Sequence, residues 1–309
     1  METNFALHGH FFRIFPTRKE SFESDRGHGK VAARTVMTAA IRSGARLPSL
    51  LCLDAPCVAV AWSLFFDSLY QGEGTVATHG GLFCSVWTIY LLDRIVDATA
   101  PGPRERQSVR HQFARRHTGA LRGLLLLSVA GVFAALFVLP ARFLGGAGGA
   151  GIAVCLYFLA LRRGLFARLR RLFPAKEAAV AIVFATGCLI AADAWGDPGA
   201  VWGALFLGLL AGANCLLISR AEKEEDARTD PASYFGAPRT RSRLSFLIPL
   251  GSVLVLAPLA ALSSAGTLAL VSAATALSLF LVSARCPGPE VQCYADLVLL
   301  LPFPVLWFL

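Results

Sequence analysis

The chain has 309 residues, 55% of them hydrophobic and 16% charged, and its mean hydropathy of +0.59 excludes an ordinary water-soluble globule. Apolar runs of roughly 17 to 25 residues recur from about residue 47 to the C-terminus, the length an α-helix needs to cross about 30 Å of hydrocarbon. Period-two alternation is absent, which argues against a β-barrel, and the net charge of +9 needs no nucleic acid once its distribution is considered.

Residues 1–45 stand apart. They are polar, carry charges of both signs, and lack the short apolar core and small-residue cleavage site of a signal peptide. They read as a disordered cytoplasmic leader to a membrane domain spanning residues 46–309. The expected fold is all-α, a polytopic bundle of nine transmembrane helices near 47–68, 79–97, 119–139, 143–161, 175–194, 198–219, 244–262, 265–285 and 293–309. The run "GGAGGAG" at 145–151 lies inside one of these spans and lacks the Lys-Ser/Thr ending of a phosphate loop, so close helix packing is its expected role. The eight cysteines sit mostly in apolar runs without CxxC spacing, as buried thiols do, and imply neither zinc nor disulfides.

Loop charges alternate. The connection after span 2 carries Arg104, Arg106, Arg110, Arg115 and Arg116. That after span 4 carries Arg162, Arg163, Arg168, Arg170 and Arg171, and that after span 6 carries Arg220, Lys223, Arg228, Arg239, Arg241 and Arg243. The loops after spans 1, 5 and 7 have neither Lys nor Arg, and that after span 3 has Arg142 alone. Cytoplasmic loops are the basic ones. The N-terminus is therefore expected in the cytoplasm and the C-terminus on the opposite side, the setting being a bacterial inner membrane. A basic face of this kind attracts anionic lipid or a phosphorylated substrate.

Two acidic groups lie at the expected cytoplasmic ends of spans 2 and 6. In "YLLDRIVD", Asp93 and Asp97 are four apart and share a helix face. In "NCLLISRAEKEEDARTD", Glu222, Asp226 and Asp230 repeat every four residues and line about 12 Å of helix at 1.5 Å per residue. Clustered carboxylates at a membrane boundary need protons, a cation or arginine partners. All-oxygen ligation without His or Cys suits Mg²⁺, which is often shared between carboxylates and substrate phosphates. His111 and His117 lie in the first cytoplasmic loop and read as part of a solvated basic loop rather than as catalytic groups, although Arg110, Arg115 and Arg116 beside them could close over phosphate. Asn214 lies two turns before Glu222 on a similar face, suited to contact substrate or to bridge helices. Asp54, Asp67, Asp193 and Asp296 are further ionisable groups in or near hydrocarbon.

Nine spans with acidic motifs ending the second and the sixth resemble the UbiA superfamily of intramembrane prenyltransferases. "DRIVDATAP" is similar to the family's first motif, Asn-Asp-x-x-Asp-x-x-x-Asp, and "EKEEDARTD" to its second, Asp-x-x-x-Asp-x-x-x-Asp. "LFPAKEAAVAIVFATG" at 172–187 and "YADLVLLLPF" at 294–303 are similar to its fifth and closing helices. Asp93 stands for the family Asn, Arg94 for its Asp, Pro101 for its last Asp and Glu222 for an Asp. Asp97, Asp226 and Asp230 match.

The resemblance implies Mg²⁺-dependent transfer of an isoprenyl group from an isoprenoid diphosphate to a lipophilic acceptor within the bilayer. Asp97, Asp226 and Asp230 would hold the metal with Asp93 and Glu222 beside them, while Lys176 and arginines, Arg228 included, would take the diphosphate. Arg94 would either touch diphosphate or hold Asp97. Two alternatives remain open at this point: a UbiA-type terpene cyclase that releases diphosphate without an acceptor, and a non-catalytic isoprenoid-binding membrane protein.

Overall fold

Apolar runs become helices because, away from water, only intrahelical hydrogen bonds satisfy the backbone. The computed structural model describes residues 47–99, 109–170, 172–230, 232–235, 245–263, 265–286 and 291–309, and among these no strand occurs. The leader and Pro101 lie outside the described residues, as do Arg104, Arg106, Arg171, Arg239, Arg241 and Arg243.

Among the described residues these α-helices follow in order: α1 (Asp54–Leu69), α2 (Val76–Thr99), α3 (Val109–Arg116), α4 (Thr118–Val138), α5 (Ala141–Arg162), α6 (Leu165–Leu169), α7 (Ala175–Ala191), α8 (Ala200–Ala221), α9 (Lys223–Thr229), α10 (Leu247–Leu262), α11 (Gly266–Arg285), α12 (Val291–Val298) and α13 (Pro302–Val305). Their punctuation is local. Pro140 precedes α5 and Pro174 precedes α7, where a missing N–H costs no helical bond. Gly164, at φ 66°, takes the left-handed conformation that turns the chain from α5 into α6.

Among the described residues four helices, α4, α5, α8 and α11, are long and apolar enough to cross a membrane. Outward side chains such as Leu126, Phe137 and Ile152 give these helices apolar faces suited to lipid. The other expected spans differ for identifiable reasons. α2 is 24 residues long but carries Asp93, Arg94 and Asp97 in its last two turns. α7 opens on Lys176 and Glu177. α1 and α10 have 16 residues each, about 24 Å at 1.5 Å per residue. The last expected span, 293–309, is divided into α12 and α13, with Pro302 and Pro304 in the second piece.

The core lies around α1. Trp62, Phe65 and Phe66 are fully buried among Leu189 of α7 and Phe206, Leu207 and Leu210 of α8. Trp62 stacks edge-on to Phe65 at 5.8 Å and donates its indole N–H to the Leu299 carbonyl at 2.9 Å, tying α1 to the C-terminal segment. α2 packs on α1 and α4, α8 packs on α7 and α10, and α5 packs on α7. At the end where α1 meets the start of α2, Asp67 Oδ1 accepts the Gly74 N–H at 3.0 Å, and its other oxygen lies 3.3 Å from His79 Nε2. Arg142 there pairs with Glu73 and with Asp193, the latter at 3.2 Å.

The glycine run in α5 is used differently from the expected packing. A Cβ at Gly146 would sit 3.1 Å from Ile190 of α7, a close contact, whereas at Gly145, Gly148, Gly149 and Gly151 it would meet nothing within 4 Å. Gly151, with Ala147 and Ala150, instead walls a cavity, so most of the small residues leave space rather than close it.

Candidate functional site

The far end of the bundle gathers the polar ends of α1, α2, α5, α7, α8 and α12. α2 ends on Asp93 and Arg94, and α7 begins on Lys176. After α8 the chain turns through Glu222 into α9, which carries Asp226 and delivers Asp230.

Lys176 Nζ lies 2.5 Å from Asp230 Oδ2, and the same ammonium sits in the field of Asp93 and of the Tyr157 hydroxyl from α5. Arg94 reaches Cys52 and shares its surroundings with Asp93 and Glu222. The two acidic segments therefore share the fields of two cations. Lys176 is paired with Asp230 and lies in the field of Asp93, and Arg94 lies in the fields of Asp93 and Glu222. Such pairing is what lets several carboxylates occupy one poorly solvated place.

Asp226 is held by a hydroxyl relay. Ser233 donates to Asp226 Oδ2 at 2.6 Å, and Ser219 lies 2.7 Å from Ser233 Oγ. Because Ser233 has one proton and spends it on the carboxylate, Ser219 is the donor to Ser233. The loop that carries Ser233 is itself anchored: Asp230 Oδ1 accepts the Ala232 N–H at 2.9 Å, Arg170 donates to the Ser233 carbonyl at 3.4 Å, and Glu177 Oε1 accepts the Tyr234 N–H at 2.9 Å. Burial, reinforced by Glu222 and Asp230, pushes Asp226 up to about 7, against the opposing pull of Ser233 and Lys176.

Deeper in the bundle, Asn214 Nδ2 donates to Asp296 Oδ1 at 2.8 Å, joining α8 to α12. Asn214 is buried, and its own Oδ1 has no partner among the described residues. Asp296, Asp54 and Asp93 all lie within electrostatic range of the half-buried Tyr90 of α2. Asp67 and Asp193 belong to the opposite end, as described above.

An apolar space opens from the polar cluster. Two adjoining cavities, of about 360 and 110 Å³, share Leu82, Ser85, Ile89, Ala150, Val154 and Gly187 as walls between α2, α5 and α7. Tyr90 and Tyr157 stand at the end nearest the charges, while Thr78 and Phe143 line the other end.

Of the residues expected from sequence, Asp93, Arg94, Lys176, Glu222, Asp226 and Asp230 come together. Asn214 lies beside Asp296. Arg115 and Arg116 end α3, Arg115 half-buried and Arg116 exposed. Asp97 and Arg110 are helical, and so is Arg228 in α9, but their side chains lie outside what is described, as does that of His111. Among the described residues no group of three or more His, Cys, Asp or Glu side chains is arranged to hold a metal ion. Tyr157, Tyr90, Ser219, Ser233 and Glu177 were not expected. A tyrosine within an apolar run carries no local mark of its partners, whereas Glu177 was legible as a charge at the opening of a hydrophobic helix.

No family model, curated protein or solved structure matches the chain. Its function has to be argued from the site itself.

Proposed function

We propose that the chain is an intramembrane prenyltransferase of the UbiA type, crossing the membrane nine times with its N-terminus and basic loops in the cytoplasm. It transfers an isoprenyl group from an isoprenoid diphosphate to a lipophilic acceptor. The observation that carries this reading is Tyr157, which lines the inner apolar cavity and at the same time shares the field of Lys176, Asp93 and Asp230. A charged head and a greasy tail would thus find their partners within one continuous site, as an isoprenoid diphosphate requires.

Mg²⁺ fits the donor chemistry, because every acidic group here offers oxygen and hard divalent ions of this size take carboxylates together with substrate phosphates and water. Asp97, Asp226 and Asp230 would hold it, with Asp93 and Glu222 adjacent. Bound there, it would neutralise charge on the departing diphosphate.

The protein's own contribution is electrostatic and spatial. Lys176 and Arg94 present fixed positive charge where negative charge grows as the carbon–oxygen bond to diphosphate breaks, which stabilises the transition state more than the ground state. The walls of Val154, Val180, Val183 and Phe184 exclude water from the allylic cation left behind.

The decisive experiment incubates purified protein with labelled geranyl, farnesyl and geranylgeranyl diphosphates, with and without Mg²⁺, and measures diphosphate release. Release should require Mg²⁺ and fall sharply in Asp97→Ala and Asp226→Ala. Turnover indifferent to both changes, or no binding of any isoprenoid diphosphate, would sink the assignment. Release with no acceptor present identifies the cyclase variant of the same chemistry.

A further inference from the structure

α7 has two apolar faces. Val180, Val183, Phe184, Gly187, Ile190 and Ala191 border the cavity already described. Ala178, Ala181, Ile182, Ala185 and Thr186 border a second and larger one, about 600 Å³, an open groove between α7, α8 and α10 along which Ile182, Val201 and Ile248 are exposed. The two sets follow the 3.6-residue period on opposing sides of one helix. Small residues make the second cavity: a Cβ at Gly208 would meet nothing within 4 Å, and one at Gly212 would only touch Ala181 at 3.7 Å.

This second cavity is lined by one carboxylate, with Thr186, Tyr234, Ser245 and Ser252 as its other polar side chains. Glu177 is 5% exposed, lines the cavity, and spends Oε1 on the Tyr234 N–H, while its Oε2 is buried and has no hydrogen-bond partner among the described residues. An unpaired buried carboxylate oxygen costs free energy unless a donor reaches it. Most of the rest of the lining is apolar, so the donor has to arrive on an apolar body.

We propose that the cavity between α7, α8 and α10 is a binding site for a lipophilic hydroxyl compound, a phenol or long-chain alcohol, whose O–H donates to Glu177 Oε2. This deepens the prenyltransferase reading and rests on it for one point only, that the bound molecule is the acceptor. Lys176 and Glu177 are consecutive at the opening of α7. The diphosphate end of one substrate and the hydroxyl of the other would therefore be received at the same opening of α7, about 100° apart around its axis, while their apolar bodies run along opposite faces of the same helix.

The test uses the full chain in lipid nanodiscs and two probes of nearly equal shape, para-nonylphenol and its methyl ether, titrated by calorimetry. The wild type should bind the phenol at least about tenfold more tightly than the ether, the loss expected when a buried carboxylate oxygen gains no donor. In Glu177→Gln the amide oxygen keeps the Tyr234 N–H and an NH₂ group faces the cavity, so the preference should reverse toward the ether. Gly208→Leu should abolish binding of both probes by filling the space. Equal binding of phenol and ether by the wild type, an unchanged preference in Glu177→Gln, or phenol binding that survives Gly208→Leu overturns the proposal. A separate titration of the wild type with farnesyl thiodiphosphate distinguishes the two readings. If the thiodiphosphate binds and the phenol shows no preference, this site alone fails. If the phenol behaves as expected and the thiodiphosphate does not bind, the hydroxyl site stands and the prenyltransferase reading falls.

Discussion

Lys176 and Asp230 are 54 positions apart in the chain and 2.5 Å apart in space. Their contact joins the opening of α7 to the end of the second acidic segment, and the field of Asp93 reaches the same ammonium from the first. Lys176→Met keeps the aliphatic stem and removes the charge. Because hydrogen bonds to charged groups contribute about 1.5–3 kcal/mol, affinity for farnesyl thiodiphosphate should fall roughly tenfold to a hundredfold. Calorimetric titration measures it, and an undiminished affinity would remove Lys176 from the diphosphate site.

Asp226 supplies a pH dependence. Its folded-state value is raised to about 7 from an ordinary 3.8, so between those limits the folded protein retains a proton that the unfolded chain has released. Without metal, stability should therefore be greatest at the acidic side and decline as pH rises from about 4 through about 7. Thermal unfolding across that range measures this, and Asp226→Asn should flatten the slope. Mg²⁺ binding should expel the same proton, so affinity rises with pH through about 7 and the binding heat varies with the ionisation enthalpy of the buffer. A buffer-independent heat at pH 7 would contradict this.

Arg94 occupies the position at which the resembled motif has an aspartate, and it lies in the fields of Asp93 and Glu222. Arg94→Asp exchanges a cation for a further acidic charge beside Asp93, Glu222, Asp226 and Asp230. Binding of isoprenoid diphosphate without Mg²⁺ should be lost, and the Mg²⁺ concentration needed to restore it should rise by about tenfold or more, since removing one partner of a charge pair leaves the others unbalanced. Equal Mg²⁺ dependence in the two proteins would assign Arg94 to helix packing alone.

Trp62 tests the core that holds the site. Trp62→Phe retains an aromatic ring but strands the Leu299 carbonyl, costing about 1–3 kcal/mol. Trp62→Ala should cost about 3–5 kcal/mol, because the indole is fully buried against Phe65 and Phe66. At the opposite end, Gly72→Ala would place a Cβ 1.9 Å from the Ala192 carbonyl oxygen and should lower the unfolding midpoint although the new side chain is small. Denaturant or thermal melts in a fixed detergent rank the three.

Much of this protein could be read from its sequence for a simple reason. Apolar length and the absence of period-two alternation are properties of contiguous residues, so helices fall on all nine expected segments. The four-residue spacing of Glu222, Asp226 and Asp230 predicts one continuous helical face, but Glu222 sits at the turn between α8 and α9 and Asp230 lies past the end of α9, so Asp226 alone of the three is within a helix. What the sequence could not decide is which charge meets which. The Lys176–Asp230 pair, the Asn214–Asp296 bond and the Ser219–Ser233–Asp226 relay join distant positions, and they exist because helices pack in one arrangement among many that the same periodicity allows. The glycine run shows the same limit: Gly146 and Gly151 look alike in sequence, yet one closes on Ile190 and the other opens onto a cavity. Composition and local spacing determined the helices and their acidic ends. The tertiary packing alone put apolar cavities on both faces of α7 and left one oxygen of Glu177 unpaired on the side toward α8 and α10, because burial and hydrogen bonding depend on every neighbouring helix at once.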